Sequence, residues 1–452
     1  MTGRSSHRES RHVSRAARAY LSTEAGSGVL LLAATLVALL WANAPWPSGY
    51  EMVWTTPLSI QVGAAEIEES LRHWVNDGLM SLFFLVVGLE VARELSVGEY
   101  RDRRALAAPA LAALGGIAIP ALLYLAVVGL DSASAGGWGV VISTDTAFAL
   151  SVLALVGPRC PNRLRIFLLA LAILDDIVAI GVIAVVYTDE VQVSAAATAV
   201  ALVVLIVLVQ RAGVCHPAPY ILLAAALWLA THASGVHPTI AGVGLGLLFA
   251  AYPPGEWKVE QARSLSYAFV AAPSPVTARA ARRSVSEAVS ANERLTLALH
   301  PVVSYGVVPL FALANAGVVL DRESLASAAT SRLAWAVVLG LVSGKMLGVL
   351  GGTWLALRLP TSTFASDVRW GQVTGIATVA GIGFTISLFV AELAFQDPFL
   401  QQQVKIGILA GSATAAVLAL AAFHFLGARG GLCLRETDSE SLPDPFLIPD
   451  PA

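Results

Sequence analysis

Over most of this chain apolar residues do not alternate with polar ones. They run together in blocks separated by short polar or charged connections. Blocks of this kind fall near residues 27–45, 74–95, 105–129, 138–157, 165–188, 193–210, 218–233, 238–252, 297–320, 333–358, 370–395 and 404–427. Judged against the roughly 20 residues a helix needs to cross a bilayer, they predict about twelve transmembrane helices. One short stretch has a different period. Leu58-Ser-Ile-Gln-Val-Gly-Ala-Ala-Glu-Ile67 alternates apolar and polar around a glycine, which predicts a small β-hairpin between the first two spans, with a simple loop as the alternative. The free edges of such a hairpin offer a route to dimerisation by strand addition.

Loop charges test the count. Connections after the even-numbered spans carry Arg101, Arg103 and Arg104, then Arg159, Arg163 and Arg165, then Arg211, then Lys258, Arg263, Arg279, Arg282 and Arg283, then Arg358 and Arg369. The alternate connections carry Glu66, Glu68, Glu69, Asp131, Asp189, Glu190 and Asp397, against few bases (Arg72, Arg322 and Arg332). A missed or invented span would break this alternation, and by the positive-inside rule it puts both termini in the cytoplasm and the hairpin outside. Composition agrees: 13% of residues are charged, against about 25% in soluble domains, and 56% are hydrophobic. The fold class is therefore all-α and polytopic.

The chain divides into a cytoplasmic tail (1–20), a transmembrane domain (21–427) with a basic, proline-containing cytoplasmic connection (253–293), and an acidic, disordered tail (428–452). The connection reads as a flexible linker. The first twenty residues lack an apolar signal-peptide core, so the first span is expected to act as the insertion signal. Cys160, Cys215 and Cys433 are scattered without metal-ligand spacing and imply neither a disulfide frame nor a zinc site.

Asp175 and Asp176 sit side by side near the middle of the fifth apolar block. A charge at mid-bilayer costs at least about 2.5 kcal/mol, so two in succession point to water, a cation or a partner. Neighbouring helix positions differ by about 100°, so the two carboxylates can face different surroundings and do different jobs. Asp145 lies in Ser143-Thr-Asp-Thr-Ala-Phe-Ala-Leu, among small and hydroxyl residues. It caps a helix start or faces a cavity, and its place several residues inside the block favours the cavity. Lys345 lies too deep to snorkel and is either a structural ion-pair partner or a mobile one. Glycine-rich Gly371-Gln-Val-Thr-Gly-Ile-Ala-Thr-Val-Ala-Gly381-Ile-Gly383 makes a poor continuous helix. Close packing through small residues is one account of it. Paired with the Asp145 segment it reads instead as the second of two broken helices meeting at midplane, an arrangement needing an acid at the positive helix ends and a base at the negative ones.

These residues give the chain a family resemblance. Trp74-Val-Asn-Asp77, Val87-Gly-Leu-Glu90-Val-Ala-Arg93-Glu94, the Asp145 segment, Ala172-Ile-Leu-Asp175-Asp176, Ser234-Gly-Val-His237-Pro, Leu299-His-Pro301, Phe311-Ala-Leu-Ala-Asn315, Gly344-Lys345 and Gly381-Ile-Gly-Phe-Thr385 are together similar to the NhaA-type sodium/proton antiporters of bacteria. The resemblance implies inverted repeats with crossed discontinuous helices, a homodimer joined through the hairpin, the bacterial inner membrane, and electrogenic exchange of sodium or lithium for protons. No enzymatic chemistry, cofactor or nucleic acid is implied. It makes Asp176 the primary carboxylate for a transiently bound sodium and Asp175 the adjacent titrating acid paired with Lys345. Asp145 and Thr144 match the broken-helix site, and Glu90, Arg93, Glu94 and His237 match positions tied to pH response and the funnels. Two departures stand out: Thr296 and Leu297 occupy positions where the family places Glu and His, and Glu392 is an acid where a small residue is expected.

Sodium suits carboxylate, hydroxyl and carbonyl oxygens, so cation and protons would compete for the same atoms. A sodium-coupled solute symporter would use similar acids but needs a solute site the chain does not display. An intramembrane aspartyl protease needs Tyr-Asp and Gly-x-Gly-Asp motifs absent around these acids, and a channel is disfavoured by Lys345.

Overall fold

The computed structural model describes residues 26–428 except 45–47, 63–64, 98–102, 156–161, 189–190, 213, 215, 250, 252–254 and 359–369. The expected tails, 1–20 and, apart from Ala428, 428–452, lie outside the described residues. Among the described residues, eight helices are long and apolar enough to cross a membrane, and a bent pair, Trp370–Val379 with Phe384–Ala394, makes a ninth. Three shorter apolar helices, Gly26–Ala42, Pro217–Ala233 and Thr239–Leu248, fall on the remaining three predicted blocks. The apolar runs thus fall on helices throughout; a length criterion alone would have missed those three.

Two triplets carry the core. Ala107–Val128, Ala135–Leu153 and Ile166–Val186 form one, and Arg332–Arg358, the bent pair and Pro398–Phe425 the other. In each, a broken middle segment lies between two long helices. The first helices of the two triplets meet along small residues. A Cβ on Gly348 would overlap the Gly115 carbonyl, and one on Gly352 would overlap that of Leu111. Backbones touch there as glycine seams in membranes allow.

Among the described residues three helices contain π turns, at Trp74–Leu79, Val303–Val307 and Gly340–Gly344. The second comes just after Pro301, which has no N–H to give to the usual ladder. The third ends where Lys345 begins.

The hairpin forms where alternation predicted it. Strand β1 (Pro57–Val62) pairs antiparallel with β2 (Ala65–Ser70), Pro57 opposite Ser70 and Ile60 opposite Ile67. Leu58 and Ile60 remain exposed.

The connection before the ninth block departs from expectation. Where a flexible linker was read, Glu256–Ala271 and Pro275–Ala288 are helices packed on each other. Pro273 and Pro275, read as signs of a linker, fall between the two helices and at the start of the second. Pro275 stands at the start of the second helix, where its missing N–H costs nothing. Ser274 Oγ accepts from Thr277 N–H at 3.1 Å and Thr277 Oγ1 accepts from Ser274 N–H at 3.0 Å, a reciprocal cap worth about 1 kcal/mol or more.

Candidate functional site

The two middle segments break at the same place. In the first, a 3₁₀ turn (Ala135–Val141) gives way to extended residues 143–145 before helix Thr146–Leu155. In the second, the chain leaves the helix at Val379 and resumes at Phe384, with a 45° bend. The breaks are bonded to each other: Asp145 N–H donates to Ile382 O at 2.6 Å, and Thr144 Oγ1 donates to Ala380 O at 2.9 Å. Ser387 Oγ donates to Val140 O at 2.6 Å. Backbone groups that a continuous helix would satisfy are satisfied across the crossing, as non-helical backbone at membrane depth must be.

Asp145 is buried and holds both helix starts. Its Oδ1 accepts from Phe148 N–H and its Oδ2 from Thr385 N–H, each at 3.0 Å. One carboxylate thereby faces the positive ends of two helices, the task an acid at this crossing was expected to perform. Of the two readings of this residue the structure displays the cap, and that cap lies in the crossing.

Gly381 and Gly383 have ordinary negative φ, since positive φ among the described residues is confined to Gly129 and Gly235. Closeness requires them. A Cβ on Gly381 would stand 2.5 Å from the Leu341 carbonyl, and one on Gly383 would stand 2.8 Å from Leu341 Cδ2. The second break is therefore pressed against the π turn at Gly340–Gly344.

Beside the crossing stand the adjacent acids on helix Asn162–Val186. Asp175 is fully enclosed. Its Oδ2 accepts from Lys345 Nζ at 2.5 Å and from Thr144 Oγ1 at 2.8 Å, while its Oδ1 has no hydrogen-bond partner among the described residues. Thr144 has one hydroxyl proton for two acceptors, Asp175 and Ala380. Asp176, one helical step on, has a single long contact among the described residues, Ser143 Oγ at 3.4 Å. Glu90, Asp145, Asp175 and Lys345 all lie within electrostatic reach of Asp176. The base of the site, Lys345, thus meets an acid directly.

The other expected residues are not in one place. Glu90, Arg93 and Glu94 lie toward the far end of Leu71–Ser96. His237 packs near its beginning, with Nε2 3.5 Å from Asp77 Oδ1, Nδ1 2.8 Å from Thr239 Oγ1, and its ring edge-on to Phe389. Asp77 and Arg93 are sixteen residues apart, about 24 Å of helix. Glu392 is partly buried and pairs with Lys405 Nζ at 2.5 Å.

Sequence reasoning missed Ser143, Lys405 and a reciprocal amide pair. Asn315 Nδ2 donates to Asn76 Oδ1 at 2.8 Å, and Asn76 Nδ2 returns a 3.3 Å bond to Asn315 Oδ1. Both asparagines stand in the motifs that carry the family resemblance, which is the signal that could have paired them.

This geometry defines a class: a polytopic membrane protein in which two crossed helix breaks enclose carboxylates and a lysine. The sequence model of the family described as "Na+/H+ antiporter 1" matches residues 18–423. The chain is 47% identical over 434 residues to Na(+)/H(+) antiporter NhaA 3 of Frankia alni, covering 96% of this chain and 93% of that protein. It is 44% identical over 412 residues to Na(+)/H(+) antiporter NhaA 1 of Mycolicibacterium gilvum, covering 91% and 67% respectively. Among solved structures, the sodium proton antiporter MjNhaP1 from Methanocaldococcus jannaschii at pH 8 aligns over 92% of this chain and 98% of that one, with TM-score 0.49 and 14% identity. The chain belongs to the NhaA-type sodium/proton antiporter family.

Proposed function

We propose that this protein exchanges sodium or lithium for protons across a bacterial inner membrane, electrogenically and as a transporter with no enzymatic step. Asp176 is the carboxylate that meets the cation. The observation that carries this assignment is the asymmetry of the acids: Asp175 is held by an ammonium and a hydroxyl, whereas among the described residues Asp176 meets only the long Ser143 contact, which leaves acceptor capacity unused.

A cation entering beside Asp176 finds further hard oxygens in Ser143, Thr144 and Asp175, all suited to sodium. Protons compete for the carboxylates, so loading one species releases the other. Thr144 couples the acids to the crossing. When Asp175 takes a proton it becomes a donor to Thr144 Oγ1, and the threonine's own proton is freed for Ala380 O, so Thr144 keeps both of its partners. The same event breaks the attraction to Lys345. Asp145 stays at its two helix starts and holds the crossing while the surrounding helices move.

The remaining features fit one orientation. The Arg-rich connections lie on the cytoplasmic side with both termini, Glu90, Arg93 and Glu94 sit toward that face, and His237 lines the opposite approach. The hairpin, with Leu58 and Ile60 exposed, supports a homodimer.

The test is dequenching of a pH-sensitive dye in acid-inside everted vesicles on adding sodium, lithium or potassium. Wild type should give sodium- and lithium-driven proton efflux over part of the pH range, and Asp176→Asn should give none while remaining inserted. An unchanged response in Asp176→Asn would remove this carboxylate from the cation path.

A further inference from the structure

The helical pair Glu256–Ala271 and Pro275–Ala288 contributes no side chain to the crossing. It carries Lys258, Arg263, Arg279, Arg282 and Arg283, yet leaves Trp257 66%, Val270 74% and Val276 70% exposed. Basic residues combined with uncovered apolar ones on short helices beside a membrane domain are the chemistry of a segment lying in the headgroup region. Between this pair, the end of Leu71–Ser96 and the start of Ala291–Asn315 lies a cavity of about 800 Å³.

Its lining is two-sided. Arg93, Arg282 and Arg294 contribute three guanidinium groups against the one carboxylate of Glu293, while Val285 and Leu297 belong to its apolar wall. The carboxylate is already engaged, since Glu293 Oε2 accepts from Ser290 Oγ at 2.9 Å. Arg294 Nη1 donates to Ser286 Oγ at 3.0 Å, which holds that guanidinium across from the helical pair. Leu297 is 79% exposed, an apolar residue left without protein cover on a basic face.

We propose that this cavity binds the headgroup and upper acyl region of an anionic phospholipid. Excess positive charge selects a phosphate. The apolar wall selects a molecule with hydrocarbon attached, and the volume, of the size that takes a drug-sized ligand, far exceeds a bare phosphate ion. The arginines belong to the face that bears the basic connections, where a leaflet of anionic lipid is within reach. Thr296 and Leu297 are lining residues, so the departure from the family at these positions becomes part of the lipid site. The proposal does not depend on which ions the protein carries.

The test uses the full chain purified in neutral detergent. Phosphatidylglycerol, phosphatidylcholine, glycerol 3-phosphate and inorganic phosphate are added separately, with retained lipid read by native mass spectrometry and melting read alongside. Phosphatidylglycerol should be retained and raise the melting temperature; the other three should not. Each basic residue near an anionic headgroup contributes about fivefold in affinity, so Arg282→Gln with Arg294→Gln should weaken retention roughly 25-fold, and the corresponding lysine pair should restore most of it. Equal retention of phosphatidylcholine overturns the proposal, as does a glutamine pair that binds like wild type. Saturation by glycerol 3-phosphate or inorganic phosphate alone identifies a free phosphate site and also overturns it. If the glutamine pair does not fold, a bimane on Val285→Cys, in a chain with serine at its three native cysteines, decides. Brominated-acyl phosphatidylglycerol should quench it several-fold more than the brominated phosphatidylcholine, and equal quenching rejects the proposal.

Discussion

Lys345 and Asp175 are both fully enclosed, and the ammonium rests 2.5 Å from the carboxylate. Lys345→Met removes the charge that balances Asp175, leaving Thr144 as the carboxylate's only hydrogen-bond donor among the described residues. Asp175 Oδ1 already lacks a partner among the described residues, so no second contact is there to compensate. Breaking a buried pair by removing one partner costs about 3–5 kcal/mol, or roughly two to three and a half orders of magnitude in the folding equilibrium. Replacing both partners should cost much less, since the penalty comes mainly from the stranded charge. Asp175→Asn with Lys345→Met should therefore be closer to wild type in stability than either single variant, with a coupling energy of at least about 2 kcal/mol. Reversible unfolding of the purified protein in mixed micelles, titrated with a denaturing detergent at neutral pH, gives the four values. Transport measured on the same proteins should be impaired in all three variants, including the one whose stability recovers. Single variants that each cost under about 1 kcal/mol, or a double variant equal to the sum of the singles, would refute this account of the pair.

The geometry makes three further outcomes measurable. Asp145→Asn leaves one acceptor where two N–H groups now bond, and the loss of a charged hydrogen bond and of the helix-end charge should cost about 2–4 kcal/mol. Hydrogen exchange at Phe148 and Thr385 should rise in at least one of the two, and unchanged protection at both would count against the shared cap. Gly352→Val places bulk on the Leu111 carbonyl and should destabilise the protein by about 1–3 kcal/mol or more, seen as a lower melting temperature, whereas Gly351→Ala, where a Cβ meets nothing within 4 Å, should be near neutral. Hydrogen bonding from Ser324 holds the Asp321 carboxyl below its usual range. Its cap on helix Arg322–Thr330 should thus be at full strength above the ordinary carboxylate pKa and fade as pH falls through the depressed one, and Asp321→Asn should remove that dependence from local hydrogen exchange.

Much of the architecture was readable because bilayer burial imposes long apolar runs and because loop charge must alternate. The hairpin was readable for a similar reason: only a strand has a two-residue period, and Leu58 to Ile67 keeps it. The acids could be singled out because a carboxylate in an apolar run is costly whatever surrounds it. Which acid would meet Lys345 was not readable from charge alone, since 170 residues separate it from Asp175 and three acids were candidates; the resemblance supplied the choice. Ser143 and Asn76 escaped notice because neutral polar side chains are cheap at many depths and carry no comparable signal. The helical pair at 256–288 was misread for a more specific reason. Proline was weighed as a breaker, and the Ser274-Pro-Val-Thr277 pattern that turns it into a helix start was passed over.

The π turn at Gly340–Gly344 puts one residue more into that turn than an α-helix would hold, directly before Lys345. Such a surplus residue is a stored rotation. Passing it one turn along the helix, to the far side of Lys345, would swing the lysine by about 100° about the helix axis and shift it by about 1.5 Å. Residues beyond the relocated turn would keep their places, so Gly352 would stay seated against Leu111 while Lys345 left Asp175. The place of that surplus residue, next to Lys345, makes the position of one buried charge depend on the winding of a single turn.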